Sequence, residues 1–169
     1  KLKEQQLELA KRFVDNGDGT VTDLETKLIW KQTDSFQDTS KWNNWFRAQE
    51  YIQSLNIEKF AGYSDWRMPT LEEAESLHDE NHSIKDMDRM DIFISSAFSP
   101  GGGFTCWTSN EMPHATAAIY YYRYGHANSN HKEDITKDSV RAVRDIEVRE
   151  KAKGVFKKYP GFSNSPLPR

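Results

Sequence analysis

The sequence has little cysteine, little net charge and no long hydrophobic run, and each shortage excludes a class of protein. Cys106 is the single cysteine, so neither an internal disulfide nor a zinc site built from several cysteines can form. No apolar run approaches the roughly 18 residues of a membrane-spanning helix. The 23 basic residues are balanced by 26 acidic ones, a net charge of −3. We therefore predict neither a membrane span nor a nucleic-acid partner.

Aromatic side chains are abundant instead. The chain carries 9 Phe, 7 Tyr and 5 Trp, together 12% of its 169 residues. Disordered chains are poor in aromatic residues, so this composition favours a folded domain whose core is built from rings more than from aliphatic side chains. The five tryptophans expected in that core are Trp30, Trp42, Trp45, Trp66 and Trp107.

Two short strands and a turn are predicted near the start of the chain. The Asn/Gly/Asp cluster Asn16–Thr20 lies between β-prone pieces and is typical of a β-hairpin turn. The cluster also resembles part of an EF-hand calcium loop, but the first ligand position would then be Val14, which has no side-chain oxygen. The hairpin is therefore the preferred interpretation. Leu28–Trp30 suits a buried strand that follows it.

Two helices are predicted in the next part of the chain. Large apolar residues recur three and four positions apart over 40–55, which predicts a helix with Thr39 or Ser40 as its N-cap. Thr70 and Glu73 have capping-box spacing, which predicts a second helix over 70–78. The apolar residues of the first helix are Trp42, Trp45, Phe46, Ile52 and Leu55.

The second half of the chain predicts further strands separated by polar segments. Strands are expected at 104–108, 117–124 and 139–144, with surface loops at 81–91 and 126–138. Helices and strands in this order favour the α+β class. Residues 1–11 predict a short helical lead-in, and the charged segment 146–169 predicts an arm or linker.

Four segments, in order, carry a resemblance to a known family. The quoted residues are Arg12–Asp23 leading to Leu28–Trp30, then Trp45-x-x-Ala48-x-x-Tyr51-x-x-x-Leu55, Ala61–Thr70 and Val140–Arg144. Over 12–145 the chain thereby resembles the Lcl C-terminal domain, a bacterial family of unknown function. The resemblance implies a C-type-lectin-like fold, in which two helices pack on a small twisted, mostly antiparallel sheet with long loops. It also implies a recognition module of secreted or cell-surface proteins.

The resemblance assigns Trp66 and Arg67 to the scaffold, as a buried indole beside an arginine that bonds to backbone. A buried arginine requires a partner, and Asp65 or Asp23 is expected to supply it. Cys106, in an apparent strand, is expected to be a small buried residue.

Catalysis and metal binding have weaker support in the sequence. Enzymes that generate formylglycine have a related fold, but their chemistry needs a pair of cysteines. No serine or cysteine lies in a recognisable nucleophile motif, so we predict a protein that is not an enzyme and needs no cofactor. His78 and His82 are four residues apart beside carboxylates, which permits a metal site on a helix, whereas solvated polar residues at a helix end would look the same.

The composition of residues 109–131 favours a recognition surface. Tyrosine supplies rigid amphipathic contact area, and Asn, Ser and His supply adaptable hydrogen bonds. Because side chains alternate along a strand, Tyr120, Tyr122 and Tyr124 are expected on one face. Cross-strand packing of the rings is the competing interpretation. The predicted ligand-binding residues are Asn110, Tyr120, Tyr122, Arg123, Tyr124, His126, Asn128 and Asn130.

Three functional hypotheses follow. The leading one is a non-catalytic, extracytoplasmic recognition module that binds a glycan or protein ligand through 109–131. The alternative is a structural or accessory subunit of a larger surface or periplasmic assembly, held to its neighbours by 1–11 and 146–169. The third is an enzyme or metalloprotein that uses His78 and His82.

Overall fold

The computed structural model describes residues 12–146, in which antiparallel strands, three α-helices and a 3-10 helix at Phe60–Gly62 are joined by long irregular segments. The predicted helical lead-in at 1–11 and, apart from Ile146, the predicted arm at 146–169 lie outside the described residues. The helices are α1 Ser35–Thr39, α2 Trp45–Ile57 and α3 Leu71–Ser76. The strands are β1 Phe13–Asp15, β2 Thr20–Asp23, β3 Leu28–Lys31, β4 Ile84–Lys85, β5 Asp91–Ile92, β6 Thr105–Met112, β7 Thr116–Tyr121, β8 His126–His131 and β9 Val143–Asp145.

The first sheet has the order β1-β2-β3-β9, with every neighbouring pair antiparallel. The predicted hairpin is confirmed, and Asp18 Oδ1 closes its turn by accepting from the N–H of Thr20 at 3.1 Å. Trp30 pairs with Val21 on one side and with Val143 on the other, and all three side chains are buried. This pairing connects strands near the two ends of the described chain, and the three side chains belong to the hydrophobic core.

The predicted helix over 40–55 is wrong at its start. The structure has two helices here, because Ser40 takes the left-handed conformation (φ 57°) that ends α1, and Asn44 caps α2 with its side chain on the N–H of Arg47. Trp42 lies between the helices, half-buried, and stacks on Phe36 with ring centroids 4.1 Å apart. The other four tryptophans are buried as expected. The buried residues of α2 are Trp45, Ala48, Tyr51, Ile52 and Leu55, whereas Phe46 is exposed.

The capping box of α3 is confirmed. Glu73 Oε1 accepts from the N–H of Thr70 at 2.8 Å, while Thr70 Oγ1 accepts from the N–H of Glu73 at 3.2 Å. The helix ends at Ser76, two residues before the predicted end at 78.

The sheet β6-β7-β8 corrects several predictions for the second half. The strand expected at 117–124 ends at Tyr121, and the polar segment 126–138 is no simple loop, because its first six residues form β8. A polar segment can form a strand when another strand pairs with its backbone, and β7 pairs with β8 along its full length. Likewise β4 and β5 pair within the expected loop 81–91, and only the end of 139–144 is strand.

A buried carboxylate joins three separate parts of the fold. Asp34 is 3% exposed and accepts from the N–H of Gln37, which caps α1, at 2.9 Å. Its Oδ2 accepts from the N–H of Gly103 at 2.7 Å and from the hydroxyl of Ser139 at 3.2 Å. A Cβ at Gly103 would lie 2.3 Å from Ser139 Oγ, so only glycine fits where the chain enters β6.

Arg67 has partners other than the two predicted. Its guanidinium donates to Glu73 at 2.7 Å and to Asp145 at 3.1 Å, and so connects α3 to β9. Asp65 instead accepts from Arg144 at 2.7 Å, and Asp23 from Arg12 at 3.0 Å. The expected pairing is wrong because each of the two carboxylates is bonded to an arginine other than Arg67, whereas Glu73 and Asp145 lie beside the Arg67 guanidinium.

Substitution of Asp34 by alanine tests the junction. We expect D34A to lower the free energy of unfolding by about 3 kcal/mol, since it removes a helix cap worth ~1 kcal/mol and leaves the buried Gly103 N–H without an acceptor. Urea unfolding followed by tryptophan fluorescence measures this. The matched control is N44A, which removes the cap of α2 and costs about 1 kcal/mol, because the partners of the half-buried Asn44 side chain, Arg47 N–H and the carbonyl of Glu133, lie at the surface. Equal losses in the two variants would contradict the role of Asp34.

Glu73 predicts how stability depends on pH. Burial alone would raise the pKa of Glu73, but the hydrogen bonds from Arg67 and from the backbone of Thr70 outweigh burial and hold the pKa below its ordinary value of 4.5. The unfolded chain therefore binds this proton more readily than the folded one, so stability is lost as the pH falls through and below about 4.5. E73Q keeps the capping box but removes the titrating group. We expect its unfolding free energy to decline less steeply between pH 5 and 3 than that of the wild type; identical slopes would refute the assignment.

Candidate functional site

The eight predicted ligand-binding residues divide into buried and exposed groups. Tyr120 and Tyr122 are 2% and 5% exposed, so in this structure they present almost no surface to a ligand. Tyr122 donates its hydroxyl to the carbonyl of Ala74 in α3 at 2.7 Å, and burial raises its pKa well above the ordinary value. The centroids of the two rings lie 5.1 Å apart, and Tyr122 packs against α3; their burial favours the competing interpretation that they serve packing, although against a helix and not across strands.

Arg123 is held by ion pairs within the fold. Its Nε lies 2.7 Å from a carboxylate oxygen of the buried Asp86, and one terminal nitrogen lies 3.0 Å from Asp88. The guanidinium also lies 3.9 Å above the ring of Phe104. These contacts fasten the turn after β7 to the β4–β5 segment, and they leave little of this cation for a ligand.

The two outlying asparagines also serve the scaffold in part. Asn110 is exposed, but its Oδ1 accepts from the N–H of Leu71 at 3.0 Å, at the start of α3. Asn130 is half-buried and donates to the hydroxyl of Tyr121 and to Asp138, both at 3.2 Å. In the register of the sheet, Asn110 and Asn130 lie toward the end remote from the β7–β8 turn.

The remaining predicted residues, Tyr124, His126 and Asn128, are exposed together around the β7–β8 turn. Tyr124 is 69% exposed, and its ring stacks on His126 with centroids 5.8 Å apart and planes 12° apart. The His126 ring also lies 5.4 Å from that of Tyr121. We call Tyr121, Tyr124 and His126 the aromatic ridge.

A groove adjoins the ridge. It encloses about 290 Å³ and is lined by His78, Glu80, Phe93, Tyr124 and Gly125. The His78 ring lies between Phe93 and Tyr120, with centroids 6.1 and 6.0 Å away. We call this the His78 groove, and Tyr124 belongs to both it and the ridge.

Gly125 allows the groove to form. It has a φ of +71°, and a Cβ at this position would lie 2.6 Å from His78 Nε2. Glu80, Phe93 and Gly125 line the groove but are not among the predicted ligand-binding residues. Glycine after a tyrosine-rich strand was the available signal, because it marks a turn with positive φ. Nothing local indicated that His78 meets this turn.

His78 and His82 are placed differently from a pair on one helical face. Both follow the end of α3, and His82 Nδ1 lies 2.7 Å from a carboxylate oxygen of Asp79. Within residues 12–146, no group of three or more His, Cys, Asp or Glu side chains is arranged to hold a metal ion. Cys106 is buried as predicted, and burial raises the pKa of its thiol to about 12.

Comparison with known proteins identifies a family. The family model of the Lcl C-terminal domain matches residues 19–144 of the 169-residue chain. No curated protein and no solved structure matches the chain. Among the described helices, none is long and apolar enough to cross a lipid bilayer.

A pair of conservative substitutions separates scaffold from surface. We expect Y122F to lower the free energy of unfolding by ~1 kcal/mol, because the carbonyl of Ala74 loses a buried hydrogen bond. Y124F should stay within about 0.5 kcal/mol of the wild type, since its hydroxyl is at the surface. Both values come from urea unfolding. A destabilised Y124F with an unaffected Y122F would reverse the two assignments.

Proposed function

Because the chain belongs to the Lcl C-terminal domain family, we propose that it is a non-catalytic recognition module that binds a glycan or protein ligand outside the cytoplasm. Its contact surface is the aromatic ridge together with the His78 groove. The observation that carries the proposal is Tyr124, a large ring that is 69% exposed and stacked on His126. A ring that is already placed by a neighbouring ring has less conformational entropy to lose when a ligand covers it.

The chemistry of the surface suits either class of ligand. The face of a tyrosine or histidine ring packs against the apolar face of a sugar or against an apolar peptide side chain. Glu80 and His78 in the groove and Asn128 beside the ridge supply acceptors and donors for hydroxyl or amide groups. Stacking and hydrogen bonds of this kind require no metal ion.

We propose the C-type-lectin-like fold as the architecture that presents this surface. Two features support it: α2 and α3 accompany small antiparallel sheets, and the segment between α3 and β6 holds only the two-residue strands β4 and β5. Glu80 and Phe93 come from that irregular segment and contribute to the groove. Binding residues are commonly placed on such loops because a rigid scaffold positions them.

We propose that the site binds its ligand without catalysing a reaction. The raised pKa of Cys106 keeps its thiol protonated at neutral pH and therefore a poor nucleophile. The alternative role, as a subunit of a larger assembly, is inferred from segments 1–11 and 146–169, and no contact within residues 12–146 bears on it.

Binding assays with matched variants test the proposal. We expect Y124A combined with H126A to reduce binding at least ~10-fold on whichever ligand the wild type selects from a glycan array or a panel of bacterial and host surface proteins, because an exposed aromatic anchor contributes about 1–3 kcal/mol. F46A is the control, since it removes an exposed ring from α2. The proposal is abandoned if the double variant binds as the wild type does while F46A binds less.

A further inference from the structure

The outer edge of β8 is an open hydrogen-bonding surface. The N–H of Lys132 donates to the carbonyl of Ala115 at 2.9 Å, which makes 115 and 132 a hydrogen-bonded pair of the β7–β8 ladder. Because such pairs alternate along antiparallel strands, the backbone groups of His126, Asn128 and Asn130 point toward β7. Those of Ala127, Ser129 and His131 therefore point away from the sheet.

The outward groups of β8 have few partners. Ser129 N–H is capped locally, by Oδ1 of its neighbour Asn128 at 2.8 Å, and His131 C=O accepts from Asp134 N–H at 3.2 Å. Among residues 12–146, no hydrogen bond reaches the N–H or C=O of Ala127 or the C=O of Ser129.

The opposite edge of the same sheet is covered. On β6, the outward N–H of Trp107 donates to Ser139 at 3.0 Å, and that of Ser109 donates to Pro69 at 2.8 Å. Irregular segments thus accept hydrogen bonds from the β6 edge of the three-stranded sheet, whereas the β8 edge keeps backbone groups without partners among the described residues. Five of the six residues of β8 are exposed.

The residues of β8 lack the devices that usually block edge pairing. Exposed edges are commonly protected by lysine or other charges, by proline or by a bulge. The sequence of β8, His126-Ala127-Asn128-Ser129-Asn130-His131, has no Lys, Arg, Asp or Glu and no proline, in a chain that is 29% charged. Its pairing with β7 is regular over all six positions.

We propose that β8 pairs antiparallel with β8 of a second copy of this chain, on a two-fold axis at Ser129. This register places Ala127 opposite His131 and Asn128 opposite Asn130, with Ser129 opposite its own counterpart. Every outward-pointing residue then meets an outward-pointing residue, as an antiparallel ladder requires. The two sheets become one continuous sheet across the axis.

A second copy fits this edge because the strand is complementary to itself. A two-fold axis places each residue opposite a residue of the same strand, so a charged strand would bring like charges together; β8 avoids this. Asn130 Nδ2 already donates to Tyr121 and Asp138 within its own chain, so across the axis Asn130 Oδ1 accepts from Nδ2 of Asn128 of the other copy. Ser129 N–H leaves Asn128 Oδ1 and joins the backbone ladder. The inference does not depend on the ligand proposed above.

Charge reversal at Ser129 tests the pairing. An edge interface well below ~1,000 Å² is weak, so we expect a dissociation constant of roughly 100 μM for the wild type. Sedimentation equilibrium of the full chain across that concentration should show reversible dimers. S129K and S129E each place like charges opposite one another and should weaken dimerisation by at least about fivefold. Their equimolar mixture should form heterodimers at low salt, and added salt should weaken them.

Two controls keep the test decisive. I57K adds the same charge at the exposed end of α2 and should dimerise as the wild type does, and thermal unfolding confirms that S129K is folded. A wild type that remains monomeric above the expected constant overturns the proposal. The proposal also fails if S129K dimerises as strongly as the wild type, or if the equimolar mixture of S129K and S129E dimerises no more strongly than either variant alone.

Amide hydrogen exchange distinguishes a second copy from a segment of the same chain. The N–H groups of Ala127 and His131 should gain protection as the protein concentration rises through the dissociation constant. Protection that is full at high dilution would mean that the same chain covers the edge, and the proposal would fail.

Discussion

The carboxylate of Asp34 is buried and accepts hydrogen bonds from parts of the chain up to 105 residues apart. Its bonds to α1, to Gly103 and to Ser139 bring together the first helix, the entry to β6 and the segment that leads to β9. The glycine at 103 follows from this contact, since a side chain there would occupy the space of Ser139. β6 in turn sets the register of β7 and β8, so the aromatic ridge is positioned by a junction on a different part of the fold.

Sequence reasoning succeeded where the determining interaction is local. The hairpin at 15–20 depends on Asp18 and the glycines beside it, and the start of α3 depends on Thr70 and Glu73, three residues apart. It failed where the partner is distant. The start of α2 is a local exception: Thr39 or Ser40 was expected as its N-cap, but Ser40 takes the left-handed conformation that ends α1, and Asn44 caps α2. β8 was predicted as a loop because its side chains are polar, and the pairing of its backbone with β7 at all six positions is not visible in the sequence.

The site was predictable in composition but not in geometry. Tyr124, His126 and Asn128 were found because tyrosine, histidine and asparagine suit a contact surface. Tyr122 has the same chemistry, yet the carbonyl of Ala74, 48 residues earlier, makes it part of the core. The His78 groove escaped prediction for the same reason, since it forms only where the β7–β8 turn approaches the chain beyond α3.

The different packing of β7 and β8 supports the recognition surface that we propose at this hairpin. β7 supplies the apolar contacts of this hairpin, with Ile119 and Tyr120 buried, while most side chains of β8 reach solvent. The backbone of β8 is held by its neighbour whatever its exposed side chains are. Packing therefore places little constraint on Ala127, Asn128 and Ser129, so the identity of these residues can follow the demands of a binding partner instead of those of the core.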